Sequence, residues 1–512
     1  MRKICAALFT YSWLLGATDA AAADTSANAA RFEPAPCAFL DVPSDWAQKQ
    51  RVECGWLHVR ESRDKPSTRT LKLWVAIARA DKPAKEANDR GEPLLYLNGG
   101  PGYATVDPFF PYFAESKTWP GLRKSRDVVF LDQRGTGRSQ PSFCPELKRD
   151  LETINQQSPA PLEALQRSIT AYAACRPKML DQGFDFSAYN STATVEDAED
   201  LRRALGILRW NLYGISYGTL IGLEYLRRHP ESVRAAILDS PYPPNSPHGA
   251  EQITSTALAF QALQRSCDRD VACRASFPDI LGMLQTATSK LDAEPLAQAD
   301  GGRINGNRLL SSIWVMLVKS SLVRWVPLAI QHAATGDEAV IRRIVKLYGG
   351  SNSFGDYSFG MAQTANCFEV QVGDTATAVR AAMQRYPFLI EADAIPEEDD
   401  SECAAWQFER APMEFFAPVQ SIVPSLLYSG EFDPATPHDD AILAARHLRN
   451  STLVLVRGAS HAALGRDECT RSIAHAFLDD PLVKPQLKCL DTRHVEPIAT
   501  DGLAAHLDSL KS

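Results

Sequence analysis

Short apolar runs alternate with longer amphipathic stretches along most of the chain. Residues 93–97, 127–131, 210–214 and 233–238 are compact apolar runs, and between them residues 162–174, 195–205 and 220–228 repeat apolar positions at helical spacing. Strand and helix in alternation predict a parallel sheet with helices on both faces. Two earlier stretches, 52–59 and 71–78, flank the polar, proline-containing residues 60–66 and read as opening antiparallel strands joined by a turn. The rhythm stops in the proline-rich residues 241–247 and resumes at 424–428 and 452–456. Residues 253–263, 280–291, 308–333, 338–347 and 376–386 in between carry helical patterns. An insertion there is a cap over the carboxyl ends of the strands, where open α/β sheets bind ligands.

The start of the chain has a different composition. Arg2 and Lys3 precede an apolar run over residues 4–17, and Ala20 to Ala23 offer a small-residue cleavage site before Asp24, which together predict a secretory signal peptide. The run is short for a membrane span. The densest later run, 309–328, contains Lys319, Arg324 and Pro327 and reads as buried or amphipathic helix. The expected organisation is a signal peptide at 1–23, a mobile segment at 24–36, the first part of the core at 37–240, a helical cap at 241–412, the rest of the core at 413–495 and a tail at 496–512.

At 512 residues, 45% hydrophobic and 23% charged, the chain is an ordinary globular protein. Its formal charge of −8 becomes about −9 without Arg2, Lys3 and Asp19, and no basic stripe is visible, which argues against a nucleic-acid partner. Of 11 cysteines only Cys5 lies in the signal. The other ten suit an oxidising compartment, periplasmic or extracellular, and short loops favour pairing in chain order: Cys37 with Cys54, Cys144 with Cys175, Cys267 with Cys273, Cys367 with Cys403, Cys469 with Cys489. No Cys-x-x-Cys supports a metal site.

The chemistry centres on Gly214-Ile-Ser-Tyr-Gly218, an apolar strand entering a Gly-x-Ser-x-Gly turn and then a helix. Such a turn exposes the Ser216 hydroxyl as a nucleophile. In α/β-hydrolases the acid and the base follow in that order, each at a strand end. Asp433 follows the strand at 424–428 and His461 follows the strand at 452–456; Asp239 and Glu431 are rival acids, and His438 is a rival base. Oxyanion donors are expected from the backbone of Tyr217 and from Gly100 in Asn98-Gly-Gly-Pro-Gly102. The fold predicted is the α/β-hydrolase fold, with its mainly helical cap inserted before the last two core strands. The mechanism needs no metal or organic cofactor.

Asn98-Gly-Gly-Pro-Gly102, Asp132-Gln-Arg-Gly-Thr-Gly-Arg-Ser139, Gly214-Ile-Ser-Tyr-Gly218 and Gly430-Glu-Phe-Asp-Pro-Ala-Thr-Pro437 together resemble the proline iminopeptidase and tripeptidyl aminopeptidase family of serine hydrolases. The likeness runs from about Cys54 to Cys489 and is weak in the cap. It is closer to the secreted tripeptidyl branch, which has Asn where proline iminopeptidases have His before Gly-Gly-Pro-Gly, and a cysteine pair after the histidine that matches Cys469 and Cys489. The resemblance implies a triad of Ser216, Asp433 and His461, an oxyanion hole from Gly100 and Tyr217, and a cis Gly100–Pro101 peptide. It also implies that Glu369, in Asn366-Cys-Phe-Glu369, faces the ammonium group of a peptide with a free N-terminus. Residues 397–402, an acidic run, read as a solvated loop, and Asp132-Gln-Arg134 as a structural tie. The activity expected is that of an exported serine aminopeptidase. A carboxylesterase or lipase with the same triad is the alternative, and a non-catalytic binding protein on this fold is the reading from another class.

Overall fold

The computed structural model describes residues 30–39, 42–65, 69–81, 91–117, 119–246, 250–299, 301–349, 356–369, 375–389, 398–407 and 410–510. The expected signal peptide lies outside them. Among the described residues eleven strands follow one another: β1 (Arg31–Ala35), β2 (Val52–Arg60), β3 (Thr70–Ala78), β4 (Leu94–Leu97), β5 (Val128–Leu131), β6 (Trp210–Ile215), β7 (Val233–Asp239), β8 (Leu296–Ala297), β9 (Arg303–Ile304), β10 (Ser425–Gly430) and β11 (Ser451–Val456). Nine of them form one sheet in the order β1-β2-β3-β5-β4-β6-β7-β10-β11, antiparallel from β1 to β5 and parallel from there on. This is the α/β-hydrolase fold.

Alternation along each strand sends side chains to opposite faces of the sheet. Leu95 and Leu97 join one buried cluster with the helices Ser191–Ala204 and Tyr217–Arg228, while Leu94 and Tyr96 join another on the far side. Every residue of β4 and β5 is buried, as expected for strands covered on both faces. Strand order reverses at β4: the chain moves outward to β5, then returns to place β6 on the other side. The crevice over the carboxyl ends of β4 and β6 is therefore the switch point where open α/β sheets bind ligands.

Order begins earlier than the sequence reading placed it. Residues 24–36 were expected to be mobile, yet Arg31–Ala35 is an edge strand paired with Cys54 to His58. The Phe32 ring lies on the bare backbone of Gly55, and Pro34 is tolerated because the strand is at an edge. The ten cysteines form five disulfides in chain order, from Cys37–Cys54 to Cys469–Cys489. Among the described residues no helix is long and apolar enough to cross a membrane.

The inserted region departs from its pattern in three places. Residues 308–333, read as one helix, are two, Gly306–Val318 and Val326–Thr335, because Pro327 lacks an N–H and fits only the first turn of a helix. Of the acidic residues 397–402, read as a loop, 398–402 belong to the helix Glu398–Trp406, and 397 lies outside the described residues. The helix Phe359–Glu369 was not anticipated. Packing divides the insertion as well. Helices from Ala250–Arg269 to Glu338–Tyr348 build a hydrophobic core of their own, which also takes Phe432 and, from the tail helix Leu503–Ser509, Leu503 and Leu507. Met361, Ala365 and Trp406 instead join the core cluster of the sheet.

Candidate active site

The strand β6 ends in a turn whose backbone is held open by strain. Ser216 stands at φ 55°, ψ −126°, a conformation costing an L-residue about 1–3 kcal/mol. The turn is tight enough to forbid side chains on both flanks. A Cβ on Gly218 would meet Leu97 O at 2.0 Å, and one on Gly214 would meet Gly218 O at 2.4 Å. Ser216 is only partly buried, whereas Tyr217 to Leu226 behind it are buried. Its N–H donates to Asp239 O at 3.0 Å, which anchors the turn to the end of β7.

Beyond β10, Asp433 is buried among donors. Oδ1 accepts the N–H groups of Ala435 at 2.9 Å and Thr436 at 3.0 Å; Oδ2 accepts the hydroxyls of Ser240 at 2.8 Å and Thr436 at 2.9 Å. His461 Nδ1 lies 3.0 Å from Oδ1 and 2.9 Å from Oδ2. Burial pushes the carboxyl group up, but the imidazole charge and these donors outweigh it and hold Asp433 below the usual carboxylate range. Burial likewise pushes His461 down, and the charge and hydrogen bond of Asp433 outweigh it, so the imidazole is held above its ordinary value.

The two rival acids are engaged elsewhere. Asp239 accepts the N–H groups of Ala463 at 2.8 Å and Leu464 at 3.0 Å, and burial raises its carboxyl to about 6. Glu431 accepts Gly458 N–H at 2.8 Å. His438 begins the helix His438–Ala445, and burial lowers its imidazole.

After β4, Asn98 to Gly102 bring Gly99 against the nucleophile turn: a Cβ there would meet Ser216 Cβ at 3.1 Å. Gly100, the expected donor, is the next residue, at φ 129°, and the Gly100–Pro101 peptide is cis. Tyr217 is the first residue of its helix, so its N–H has no acceptor within that helix and is free to face a ligand. The segment Asp356 to Ser358 seats itself on this loop, with Ala104 N–H donating to Asp356 O and Ser358 N–H to Gly102 O, each at 2.9 Å. From there the helix Phe359–Glu369 runs to Glu369, whose Oε1 accepts Ser191 N–H at 2.6 Å and the Tyr217 hydroxyl at 3.2 Å. Burial raises this carboxyl to about 7. Glu369 thus touches the residue that follows Ser216.

Asp132-Gln-Arg134 is scaffold beside the site. Asp132 accepts Thr105 and Val106 N–H groups, each at 2.8 Å, at the start of the helix Val106–Ala114; Gln133 donates to Asn98 O at 3.1 Å. Arg134 is fully buried and forked onto Asp197 at 2.6 and 2.7 Å, with the carbonyls of Glu61 and Ala188 taking its third nitrogen. Asp197→Ala leaves that guanidinium without a counter-charge and is expected to cost about 3–5 kcal/mol in urea unfolding, where a loss below about 1 kcal/mol would show the pair to be incidental.

Three contacts at the site were absent from the sequence reading. Thr436 on Asp433 had a signal, since Asp commonly binds backbone two or three residues on. Ser240, and Ser320 of the inserted region, which accepts Ser460 N–H at 2.7 Å, had none. Among the described residues no group of three His, Cys, Asp or Glu side chains is placed to hold a metal ion.

Comparison with known proteins gives the same fold. The model of the α/β hydrolase fold matches residues 92–271, and that of TAP-like protein matches residues 387–489. The chain is 25% identical over 466 residues to a tripeptidyl aminopeptidase of Streptomyces coelicolor, covering 85% of this chain and 82% of the other. It is 27% identical over 455 residues to the serine protease Hip1 of Mycobacterium tuberculosis, covering 83% and 84%. A probable proline iminopeptidase of Streptomyces coelicolor is 30% identical over 157 residues, covering 30% of this chain and 33% of its own.

Proposed function

We propose that this chain, a serine peptidase of the α/β-hydrolase type, is an exported aminopeptidase that cleaves short peptides from a free N-terminus. Ser216 is the nucleophile. His461 takes its proton, Asp433 orients and stabilises the imidazolium, and N–H groups of Gly100 and Tyr217 hold the oxyanion; water then attacks the acyl-enzyme with His461 again as base. Five disulfides support an oxidising compartment, periplasmic or extracellular.

The contact of Glu369 with Tyr217 carries the choice of peptide over ester. A buried carboxylate on the side-chain hydroxyl of Tyr217, the residue after the nucleophile, would offer an ammonium group a charge-assisted partner and an acyl chain nothing. The test compares peptide amides with free and acetylated N-termini, alongside simple esters. Equal cleavage of the acetylated peptide would sink the aminopeptidase reading, and preference for esters would favour the esterase.

Glu369→Gln is expected to raise KM for the free peptide about thirty-fold, some 2 kcal/mol, and to leave the acetylated peptide unaffected. The pH dependence has a definite sign. With its carboxyl raised to about 7, Glu369 is charged above that pH and neutral below it, so affinity for the free amine falls as pH drops through about 7. In Glu369→Gln that limb is absent. Persistence of the limb in the variant would assign it to another group.

A further inference from the structure

Ser240 joins the acid to the base through a second route. Its hydroxyl donates to Asp433 Oδ2 at 2.8 Å and accepts Ala462 N–H at 3.0 Å, so one atom holds both the carboxylate and the residue after His461. Ser240 itself is anchored: it is fully buried, its N–H donates to Tyr428 O at 2.9 Å, and it continues directly from β7. The preceding residue, Asp239, holds the nucleophile turn through its carbonyl and the His461 loop through its carboxylate. Asp239 and Ser240 therefore connect all three loops that carry Ser216, Asp433 and His461.

The backbone at both ends of this link is strained. Ser240 stands at φ 60° and Ala462 at φ 56°, the left-handed region that favours glycine. A glycine at 240 would relieve the strain and lose the hydroxyl. Strain of this kind persists where surrounding contacts over-determine the conformation, and it concentrates at functional sites.

Resting on the triad of Ser216, Asp433 and His461, we propose that Ser240 is a positioning residue of the reaction: its hydroxyl fixes Asp433 Oδ2 and Ala462 N–H together, and so sets the His461 ring relative to Ser216. Thr436 holds the same carboxylate oxygen and its hydroxyl lies 3.3 Å from His461 Nδ1, but it does so from the Asp433 loop itself. Ser240 alone of the two is anchored in the sheet.

Two variants test it. Ser240→Gly removes the hydroxyl where glycine is at ease, and Ser240→Ala removes it with the Cβ retained. The glycine variant is expected to melt close to the wild-type Tm, the relieved strain offsetting the acceptor that Ala462 N–H loses, while kcat on a free peptide amide falls about ten-fold with KM within about two-fold. The acid limb of kcat/KM should move to higher pH, because Asp433 loses a donor, becomes more basic and holds the imidazolium more firmly. The charged groups that face the ring, Asp433, Asp239 and Arg466, are unaltered in both variants. The low-field Nδ1–H proton resonance of His461 should shift as well, a readout independent of turnover. Wild-type kcat with an unmoved acid limb in both variants, while Ser216→Ala is inactive, overturns the positioning role and leaves the triad standing. A rate loss that tracks a fall in Tm in both variants overturns it too, by assigning Ser240 to the scaffold. Full activity in Ser216→Ala overturns the triad first, and this proposal with it.

Discussion

Ser216→Ala is expected to lower kcat on a peptide amide about a million-fold while Tm and peptide binding stay close to wild type. The size of the loss follows from what one atom does. The hydroxyl oxygen supplies the acyl-enzyme, and without it His461 has no proton to take and the oxyanion donors face no tetrahedral centre formed by the protein. The small structural effect follows from the same turn. Alanine keeps the Cβ that already sits against Gly99, tolerates the strain at φ 55° as poorly as serine does, and leaves the Ser216 N–H on Asp239 O. A His461→Ala variant should lose a similar factor, and the double variant should be little slower than either, since the two act as a unit. Single-turnover kinetics with an acylating reagent checks the assignment directly: label must appear on Ser216 in the wild type and be absent from the variant. Label on another serine would remove the nucleophile from this turn.

The strand-end placement of Ser216, Asp433 and His461 was legible because it depends on local pattern. Gly214-Ile-Ser-Tyr-Gly218 carries its own turn, and Asp433 and His461 each follow an apolar run that could only be a strand. What escaped was set by packing. In Phe359–Glu369 the residues Gly360 to Ala365, Cys367 and Glu369 are all buried, so the helix shows no polar face and no amphipathic stripe. Pro145–Gln157, by contrast, carries a local signal, with Leu147, Leu151 and Ile154 at helical spacing. Residues 397–402 have the charge of a solvated loop, but negative charge is also favourable in the first turn of a helix. Ser240 lies furthest from local reading. Its meaning comes from the register that sets Tyr428 against Asp239, and no spacing along the chain encodes that pairing.

Asp433→Asn is expected to cost about 10⁴ in kcat with little change in the fold, and the reason lies in which oxygen each donor holds. Oδ1 faces two backbone N–H groups, Ala435 and Thr436, which can only donate. Oδ2 faces two hydroxyls, Ser240 and Thr436, which can turn and accept. An asparagine amide therefore settles with its oxygen at the Oδ1 position and its NH₂ at the Oδ2 position, so that His461 Nδ1 meets a donor at 2.9 Å beside an acceptor at 3.0 Å. A donor at that distance favours the tautomer with the proton on Nε2, and an imidazole in that form cannot accept the Ser216 proton. Replacing the carboxylate also removes the charge that raises the imidazole, so its titration should fall toward or below the ordinary value. Asp433→Ala separates the two effects, since it removes the charge without supplying a donor and leaves the tautomer unforced. The asparagine variant should thus be the slower at neutral pH, with the alanine variant the less stable because Ala435 and Thr436 N–H groups lose their acceptor. Activity of Asp433→Asn within about ten-fold of wild type would move the acid to Asp239 or Glu431, the other carboxylates at these strand ends.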